Sequence, residues 1–331
     1  MTALKNAARR VLHSMGGLAM LRKRSREHSR VLMFHSFNEG DQTKLDSICA
    51  EITKTCQPVS LNNIVEAARG HATLPDFAVT VTIDDAYRSY LTWGHPVFLR
   101  HKIPVTVFAV AGFSDGRLWL WPDQIEFALE NTNRTSVHAE VQPGNILDLD
   151  LSTPASRSAA TSQLNEALKL VPDEARLAFI ANLESLTGVS IPPYPPANRA
   201  AMTWDQLRAI AADGVEIGCH TETHPILSRV ASPEKLEREI RGAKEFLESR
   251  LWLPVNHFCY PNGRAIDIGP AAAEMVRKAG YISATTTTWG MNPVPADPWA
   301  IKRLPFSGDT SPEYAAELLA GLHLPDNVAP G

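Results

Sequence analysis

The stretch Val79-Thr80-Val81-Thr82-Ile83-Asp84-Asp85-Ala86-Tyr87 combines a strand pattern with two adjacent carboxylates. Apolar residues alternate with threonines up to Ile83, which is the period of a buried strand. Successive side chains of a strand point to opposite faces, so Asp84 and Asp85 can face different targets. In barrels of strand–helix units, functional groups lie where the strands end. The stretch therefore predicts a barrel strand followed by a metal ligand and a base, or, alternatively, a helix-capping Asp84 beside a solvated Asp85.

Strand-like and helix-like segments alternate on both sides of this stretch. Residues 30–35 predict a first strand that ends in His35, and residues 103–110 predict a parallel-type strand that follows a helix near 89–101. The remaining strands are predicted, with helices between them, at about 214–219, 254–260, 281–287 and 300–305. This count of about seven strands predicts an irregular α/β barrel.

The alternation is interrupted from about residue 118 to about residue 200. Pro122 opens a helix, residues 131–144 alternate weakly, and residues 152–187 indicate two polar helices before a proline-rich connector. We interpret 118–200 as a mostly helical insertion that lies over one side of the barrel mouth. The predicted organisation is a basic N-terminal segment, 1–30, and a barrel with this insertion, 31–331.

Residues 1–30 are basic and predict an N-terminal amphipathic helix. Glu27 is their single acid, and apolar residues recur along one helical stripe from Leu4 to Leu18. Such a helix can lie on an anionic membrane surface, or it can simply pack on the barrel. We expect peripheral contact of residues 1–30 with the inner membrane face as one of these two alternatives.

Bulk composition excludes several classes of protein. A net charge of -4 over 331 residues argues against nucleic-acid binding by the whole chain. The four cysteines form no Cys-x-x-Cys pair, which favours a reducing compartment. Neither a cleavable signal peptide nor a membrane-spanning run is indicated. We therefore expect a cytoplasmic protein.

His220 and His224 directly follow a predicted strand and stand four residues apart. In a helical turn, residues i and i+4 share one face, so both imidazoles can reach one ion. Two histidines and one carboxylate, with an open position, are the usual layout of a catalytic zinc site. The zincin pattern needs a glutamate at the position of Thr221, so Asp84 or Asp85 must supply the base. The alternative is that both histidines are surface residues of a threonine-rich loop.

Three motifs together resemble those of polysaccharide deacetylases, carbohydrate esterase family 4 with its NodB homology domain. Residues 82–87 resemble Thr-Phe-Asp-Asp-Gly-Tyr, residues 220–224 match His-Ser/Thr-x-x-His, and residues 258–263 resemble Phe-Ala-Tyr-Pro-x-Gly. Order and spacing agree over about 30–306. The resemblance implies a deformed (β/α)7 barrel and a divalent metal, usually Zn²⁺, whose ligands are Asp85, His220 and His224.

The resemblance also assigns roles in catalysis. It makes Asp84 the general base and the backbone N–H of Asn262 a donor to the oxyanion. Ala86 replaces the glycine after the aspartate pair, which is a mild change if its φ is negative.

Two features of the family pattern are missing. Cys259 stands where many members have an arginine that holds the base, and the terminal Leu-x-His motif that supplies the acid is not evident. Arg303 is a candidate for the arginine, with a surface position as its alternative. His35 is our candidate acid for the leaving amine, because the first and last strands of a closed barrel are neighbours; Asp123 is a second candidate.

The implied function is hydrolysis of an N-acyl group, in the first instance acetyl, on an amino sugar of a polysaccharide or a lipid-linked glycan precursor, as in exopolysaccharide biosynthesis. Deformylation of a lipid-linked amino sugar would use the same residues. A non-catalytic glycan-binding module is an alternative of a different class. A metal site ligated by Cys219 or Cys259 is disfavoured, because Cys219 should point away from His220. His257 is expected to lie behind the site.

Overall fold

The computed structural model describes residues 17–322 and 324. The predicted N-terminal amphipathic stripe falls largely on residues 1–16, which lie outside the described residues. The described part begins with the helix Gly17–Arg24, whose Arg22 side chain lies 3.4 Å from a carboxylate oxygen of Glu51. None of the described helices is long and apolar enough to cross a membrane.

Seven parallel strands close into a barrel. In the order β1-β10-β9-β8-β7-β4-β3 each pairs with the next, and pairing of β3 with β1 closes the ring. The strands of the protein are β1 Arg30–Phe34, β2 Gln57–Pro58, β3 Ala78–Ile83, β4 Val105–Ala109, β5 Ser136–Gln142, β6 Asn145–Asp150, β7 Glu216–Cys219, β8 His257–Cys259, β9 Ser283–Trp289 and β10 Ile301–Pro305. The short β2 pairs only with the start of β3. The predicted deformed (β/α)7 barrel is thus confirmed.

The barrel strands are buried because helices cover them from outside. Every residue of β3 is buried, which is usual for a parallel strand covered on both faces. The covering helices are Gln42–Thr55, Leu61–Ala68, His95–Arg100, Ala111–Ser114, Trp204–Ala212, Pro233–Glu237, Ala243–Leu251, Ala265–Ile268, Pro270–Lys278 and Pro312–Leu319, with π-helical turns at Tyr90–Gly94 and Arg238–Gly242. Thr203 and Ser232 cap their helices, and each side chain accepts a hydrogen bond from the backbone N–H three residues further along the chain.

The segment between β4 and β7 builds a second hydrophobic cluster. Its helices are Trp121–Asn131, Pro154–Leu168, Asp173–Ala181 and Leu183–Thr187, and the antiparallel strands β5 and β6 form a hairpin between the first two. The prediction of weak alternation over 131–144 followed by two helices over 152–187 is wrong, because the hairpin extends to Asp150 and three helices follow it. The β6 side chains are mostly exposed, so that strand carries little of the apolar alternation that marks β5.

Candidate active site

Six predicted site residues meet at the carboxyl ends of the barrel strands. They line one cavity of about 480 Å³, a volume typical of ligand sites. Its lining includes His35 after β1, Asp84 and Asp85 after β3, His220 and His224 after β7, and Asn262 after β8. Residues from four strand ends thus converge, as parallel strands in a barrel allow.

Asp85 and the two histidines form a compact, buried triad. Asp85 Oδ1 lies 3.5 Å from Nε2 of His220 and 3.5 Å from Nε2 of His224. The Nδ1–H of His220 donates to the carbonyl of Cys259 over 2.7 Å, which turns the Nε2 lone pair toward Asp85. Asp85 Oδ1 is buried and accepts no hydrogen bond from the described residues. A buried, unpartnered carboxylate oxygen facing two imidazole nitrogens fits a divalent cation.

The two histidines converge by a different route from the one expected. Residues 220–224 form a loop rather than a helical turn, and Thr221 and His224 have φ of 71° and 58°. These left-handed conformations are costly for non-glycine residues, so the surroundings must hold them. Thr221 Oγ1 accepts the His224 N–H at 3.0 Å, and Trp121 Nε1 donates to the His224 carbonyl at 3.2 Å.

A buried carboxylate anchors the middle of this loop from behind. Glu239 accepts hydrogen bonds from the backbone N–H groups of Glu222 and Thr223 and from the Thr223 hydroxyl. It stands in the π-helical turn Arg238–Gly242 and is 3% exposed. The loop that carries both imidazoles is therefore fixed by side chains of other elements.

Asp84 is held by Arg303, the residue the sequence offered as a candidate for the missing arginine. The guanidinium donates to both carboxylate oxygens, at 2.7 and 2.8 Å, and to the Cys259 sulfur at 3.2 Å. Burial opposes ionisation of Asp84, but the charge of Arg303, helped by His220, holds the pKa of that carboxyl well below its usual range. Asp84 is therefore a carboxylate at neutral pH.

The neighbouring carboxyl group behaves differently. Burial raises the pKa of Asp85 to about 7, and the charges of Asp84 and Asp123 add to this while His220 opposes it. Adjacent carboxyl groups whose environments separate their pKa values can take different roles in one site. A bound cation would favour the ionised form of Asp85.

A second set of possible ligands combines Asp84, His220 and Cys259. The guanidinium of Arg303 contacts both Asp84 and the sulfur, so a cation there would face a fixed positive charge. Burial also raises the pKa of the Cys259 thiol, which keeps it protonated. This set does not fit a cation. Cys219 lies in the hydrophobic core, as expected.

The two candidate acids lie in different places. His35 Nε2 is 3.7 Å from Asp84 Oδ2, and its side chain is 47% exposed at the cavity. Asp123 instead accepts a hydrogen bond from the Tyr87 hydroxyl at 2.9 Å and lies 3.9 Å from Arg199. Of the two, His35 lines the cavity, whereas Asp123 supports Tyr87, which does.

The condition stated for Ala86 is not met, and the expectation for His257 is wrong. Ala86 has φ of 60°, so an alanine at the position of the family glycine is strained. His257 lies away from the site, with Nδ1 2.8 Å from Ser283 Oγ and Nε2 3.9 Å from Glu216. As the first residue of β8 it stands at the opposite end of the strand from Cys259.

A set of polar contacts at the cavity was not predicted from the sequence. Glu166 accepts hydrogen bonds from Lys169 and from Arg264, and all three side chains line the cavity. The contact joins the segment between β4 and β7 to the loop after β8 across 98 positions of sequence. No local sequence pattern predicts a contact between residues so far apart in the chain.

Comparison with known proteins agrees with this geometry. Residues 188–283 match the family model described as polysaccharide deacetylase. No curated protein gives a significant match. The chain superposes on a Streptococcus pyogenes deacetylase, PplD, in complex with acetate with a TM-score of 0.56 and 14% identity, over 86% of this chain and 95% of that one.

Two further solved structures are similar to the same extent. IcaB from Ammonifex degensii has a TM-score of 0.55 and 17% identity, over 88% of this chain and 96% of its own. A de-N-acetylase from Aggregatibacter actinomycetemcomitans has a TM-score of 0.55 and 16% identity, over 86% and 97%. Identities this low show the fold. The resemblance to the polysaccharide deacetylase family is confirmed over residues 188–283, which match the family model.

Proposed function

We propose that this protein is a metal-dependent hydrolase that removes an N-acyl group, in the first instance acetyl, from an amino sugar of a polysaccharide or a lipid-linked glycan precursor. The observation that carries the proposal is that two adjacent carboxylates have different environments: Asp85 faces two imidazoles, and Asp84 is paired with Arg303. The family match over residues 188–283 supports the same reaction class.

Asp85, His220 and His224 would hold the cation, which we propose to be Zn²⁺. Two imidazoles and one carboxylate suit that ion and leave a coordination position open. The chemistry that such an ion supplies is activation of water and polarisation of a carbonyl oxygen. The hydrogen bond from His220 to the Cys259 carbonyl fixes the tautomer that such a ligand needs.

Asp84 would take the proton of the attacking water. Its two oxygens are fixed by Arg303, so the carboxylate cannot rotate away, and the remaining lone pairs are available to the cavity. His35 lies 3.7 Å from one of these oxygens and would deliver a proton to the leaving amine. Asp84 and His35 thus lie next to each other at the cavity, where each would move one proton.

Asn262 would stabilise the developing oxyanion. It lines the cavity with φ of 57°, and its buried Nδ2 makes no hydrogen bond within the described residues. Thr287 donates to its carbonyl, and a Cβ at Gly263 would lie 2.6 Å from the backbone nitrogen of Thr287. This tight packing fixes the turn, so its donors are already oriented for the reaction.

The proposal is tested by measuring metal content together with amine release from N-acetylated and N-formylated oligosaccharides. We expect one divalent ion per chain in the wild type, loss of the ion in His220→Ala, and retention of the ion in an inactive Asp84→Asn. His71→Gln, whose side chain is exposed outside the cavity, is the matched control. A wild type without metal, or an Asp84→Asn variant with wild-type turnover, would overturn the mechanism. Contact of residues 1–30 with the inner membrane face and a cytoplasmic location stay predictions.

A further inference from the structure

A second cavity lies behind the candidate active site. Its volume is about 740 Å³, compared with about 480 Å³ for the first. Trp119 and Trp121 line the second cavity, and Leu120 and Pro122 line the first, so alternate residues of one short segment form the wall between them. The helices Asp173–Ala181 and Ala243–Leu251 and the π-helical turn Arg238–Gly242 also contribute side chains to it.

Two side chains that line this cavity have a buried N–H donor without an acceptor among the described residues. Arg176 is 2% exposed; its Nη2 pairs with Asp173, but its Nη1 has no hydrogen-bond partner within the described residues. Trp119 is 5% exposed, and its Nε1 is likewise without a partner there. Buried donors are nearly always satisfied, so two of them in one cavity indicate an acceptor that a ligand would bring.

The charge beside Arg176 favours an anionic ligand. The lining of the cavity contains the cations Arg117, Arg176, Lys235, Arg238 and Arg250 and the carboxylates Asp115, Glu222 and Glu239. Of these cations, Arg117 and Arg250 are already paired with Asp115 and Glu222. Asp173 behind Arg176 is shared by the two cations Arg176 and Lys235, and Glu174, 4.0 Å from Lys235, is largely exposed. An anionic oxygen placed against Arg176 would complete a charge-assisted hydrogen bond.

The rest of the lining is apolar. Beyond the two tryptophan rings, the cavity is bounded by Leu118, Leu177, Ile180 and Phe246. Leu177 is 48% exposed, so this side of the lining places an apolar side chain in contact with solvent. The volume lies within the roughly 300–1,000 Å³ of typical ligand sites.

We propose that the second cavity binds an amphipathic anion, with its phosphate or carboxylate group against Arg176 and the Trp119 N–H and its apolar chain along Leu177 and Ile180. This site is separate from the candidate active site and does not rest on the function proposed for it.

An occupant would touch the groups that hold the histidine loop. The Arg176 guanidinium lies over the Trp121 ring, 5.0 Å from its centroid, and Trp121 donates to the carbonyl of His224. Glu239, which accepts the N–H and hydroxyl of Thr223, lines the same cavity. The anion therefore binds against the reverse side of the loop that carries both imidazoles.

The test uses the full chain without added metal and measures binding by isothermal titration calorimetry. The probes are dodecyl phosphate below its micelle concentration, inorganic phosphate, and dodecyl maltoside as a neutral amphiphile. We expect dodecyl phosphate to bind with one site per chain, at least tenfold tighter than inorganic phosphate, and dodecyl maltoside not to compete. If inorganic phosphate bound as tightly as dodecyl phosphate, the cavity would be a simple anion site. If dodecyl maltoside bound as tightly, it would be an apolar groove. Either result overturns the proposal.

Variants locate the site without removing its buried charges. Gly242 lines the cavity with φ of -58°, and a Cβ there would meet only Arg238 Cβ at 3.8 Å, so Gly242→Leu should fill space without backbone strain. We expect Gly242→Leu and Leu177→Asp each to weaken dodecyl phosphate binding at least tenfold. Leu170→Asp is the matched control, because Leu170 is 56% exposed on the same segment and lies outside the cavity lining. Equal affinity in all three variants would overturn the assignment.

Discussion

Arg303 donates to both oxygens of Asp84 from a position in which neither side chain is more than 2% exposed. The arginine stands on β10 and the aspartate follows β3, and β1 lies between these two strands in the barrel. The ion pair therefore crosses the barrel interior. The guanidinium makes one more hydrogen bond, because Arg303 Nε donates to the carbonyl of Thr286 at 2.7 Å.

Two replacements of Arg303 should distinguish the effect of its positive charge on Asp84 from the effect of its two hydrogen bonds to that carboxylate. Arg303→Lys keeps a cation but loses the fork that fixes both oxygens, so we expect turnover to fall at least tenfold with metal content unchanged. Arg303→Met leaves a buried carboxylate unpaired, which should lower the free energy of unfolding by about 3–5 kcal/mol. Turnover and urea denaturation measure the two effects.

The control for this pair is Arg100→Lys. Arg100 pairs with Asp46 on the surface, where an ion pair contributes about 0–1 kcal/mol. If Arg303→Lys matched the wild type in turnover as well as in stability, orientation of Asp84 by the fork would not matter.

His35 should affect turnover but not metal binding. In His35→Gln the amide keeps polarity at the cavity but cannot carry a proton to the leaving amine, so we expect kcat to fall about 10²-fold or more. The metal content should stay at the wild-type value, because His35 is not part of the Asp85 triad. Steady-state kinetics and elemental analysis on the same preparation check both. Loss of the ion in this variant would make His35 a ligand instead.

Trp121 should influence the metal through the backbone of His224. Trp121→Phe keeps an aromatic ring, although a smaller one, and removes the N–H that donates to the His224 carbonyl, so the left-handed residue is held less firmly. Such indirect supports typically contribute 10- to 100-fold in metal affinity, and we expect about tenfold weaker Zn²⁺ binding by chelator competition. Trp119→Phe removes an N–H that has no partner among the described residues and should bind Zn²⁺ like the wild type.

The sequence predicts the barrel well because each strand carries its own signal. β3 shows the buried alternation and ends at the two aspartates, and the helix after Ser232 has both a cap and a proline. The convergence of Asp85 and His220 also follows, because parallel strands bring their carboxyl ends to one edge. The order of the three motifs, 82–87, 220–224 and 258–263, then favours one class of reaction, hydrolysis of an N-acyl group.

Contacts between distant elements are what the sequence does not reveal. The hydrogen bond from Trp121 to His224 joins residues 103 positions apart. In the sequence, Trp121 is recognisable only as a residue at the start of a helix. The left-handed φ of His224 is equally hidden, since no glycine or asparagine marks it. Arg303 could be proposed only because Cys259 stands where the family has the arginine that holds the base. Its contact with both oxygens of Asp84 is visible only in the folded barrel.

His257 gives the protein a stability that depends on pH. Burial, with Arg69 and Lys244, lowers the pKa of His257 to about 4, against about 6.5 in an unfolded chain. Below pH 6.5 the unfolded state therefore binds a proton that the folded state does not, and stability falls as the pH falls toward 4. Glu216, 3.9 Å away, does not offset this, because burial raises its own pKa.

The comparison of wild type with His257→Asn isolates this contribution. Asparagine can keep a hydrogen bond to Ser283 but does not titrate, so the variant should lose about 2 kcal/mol less than the wild type between pH 7 and pH 4.5. Urea denaturation at both pH values measures the difference, and the pH dependence shared by all other groups cancels. Parallel losses in the two proteins would mean that the pKa of His257 is the same in the folded and unfolded states, so that Glu216 offsets the effect of burial.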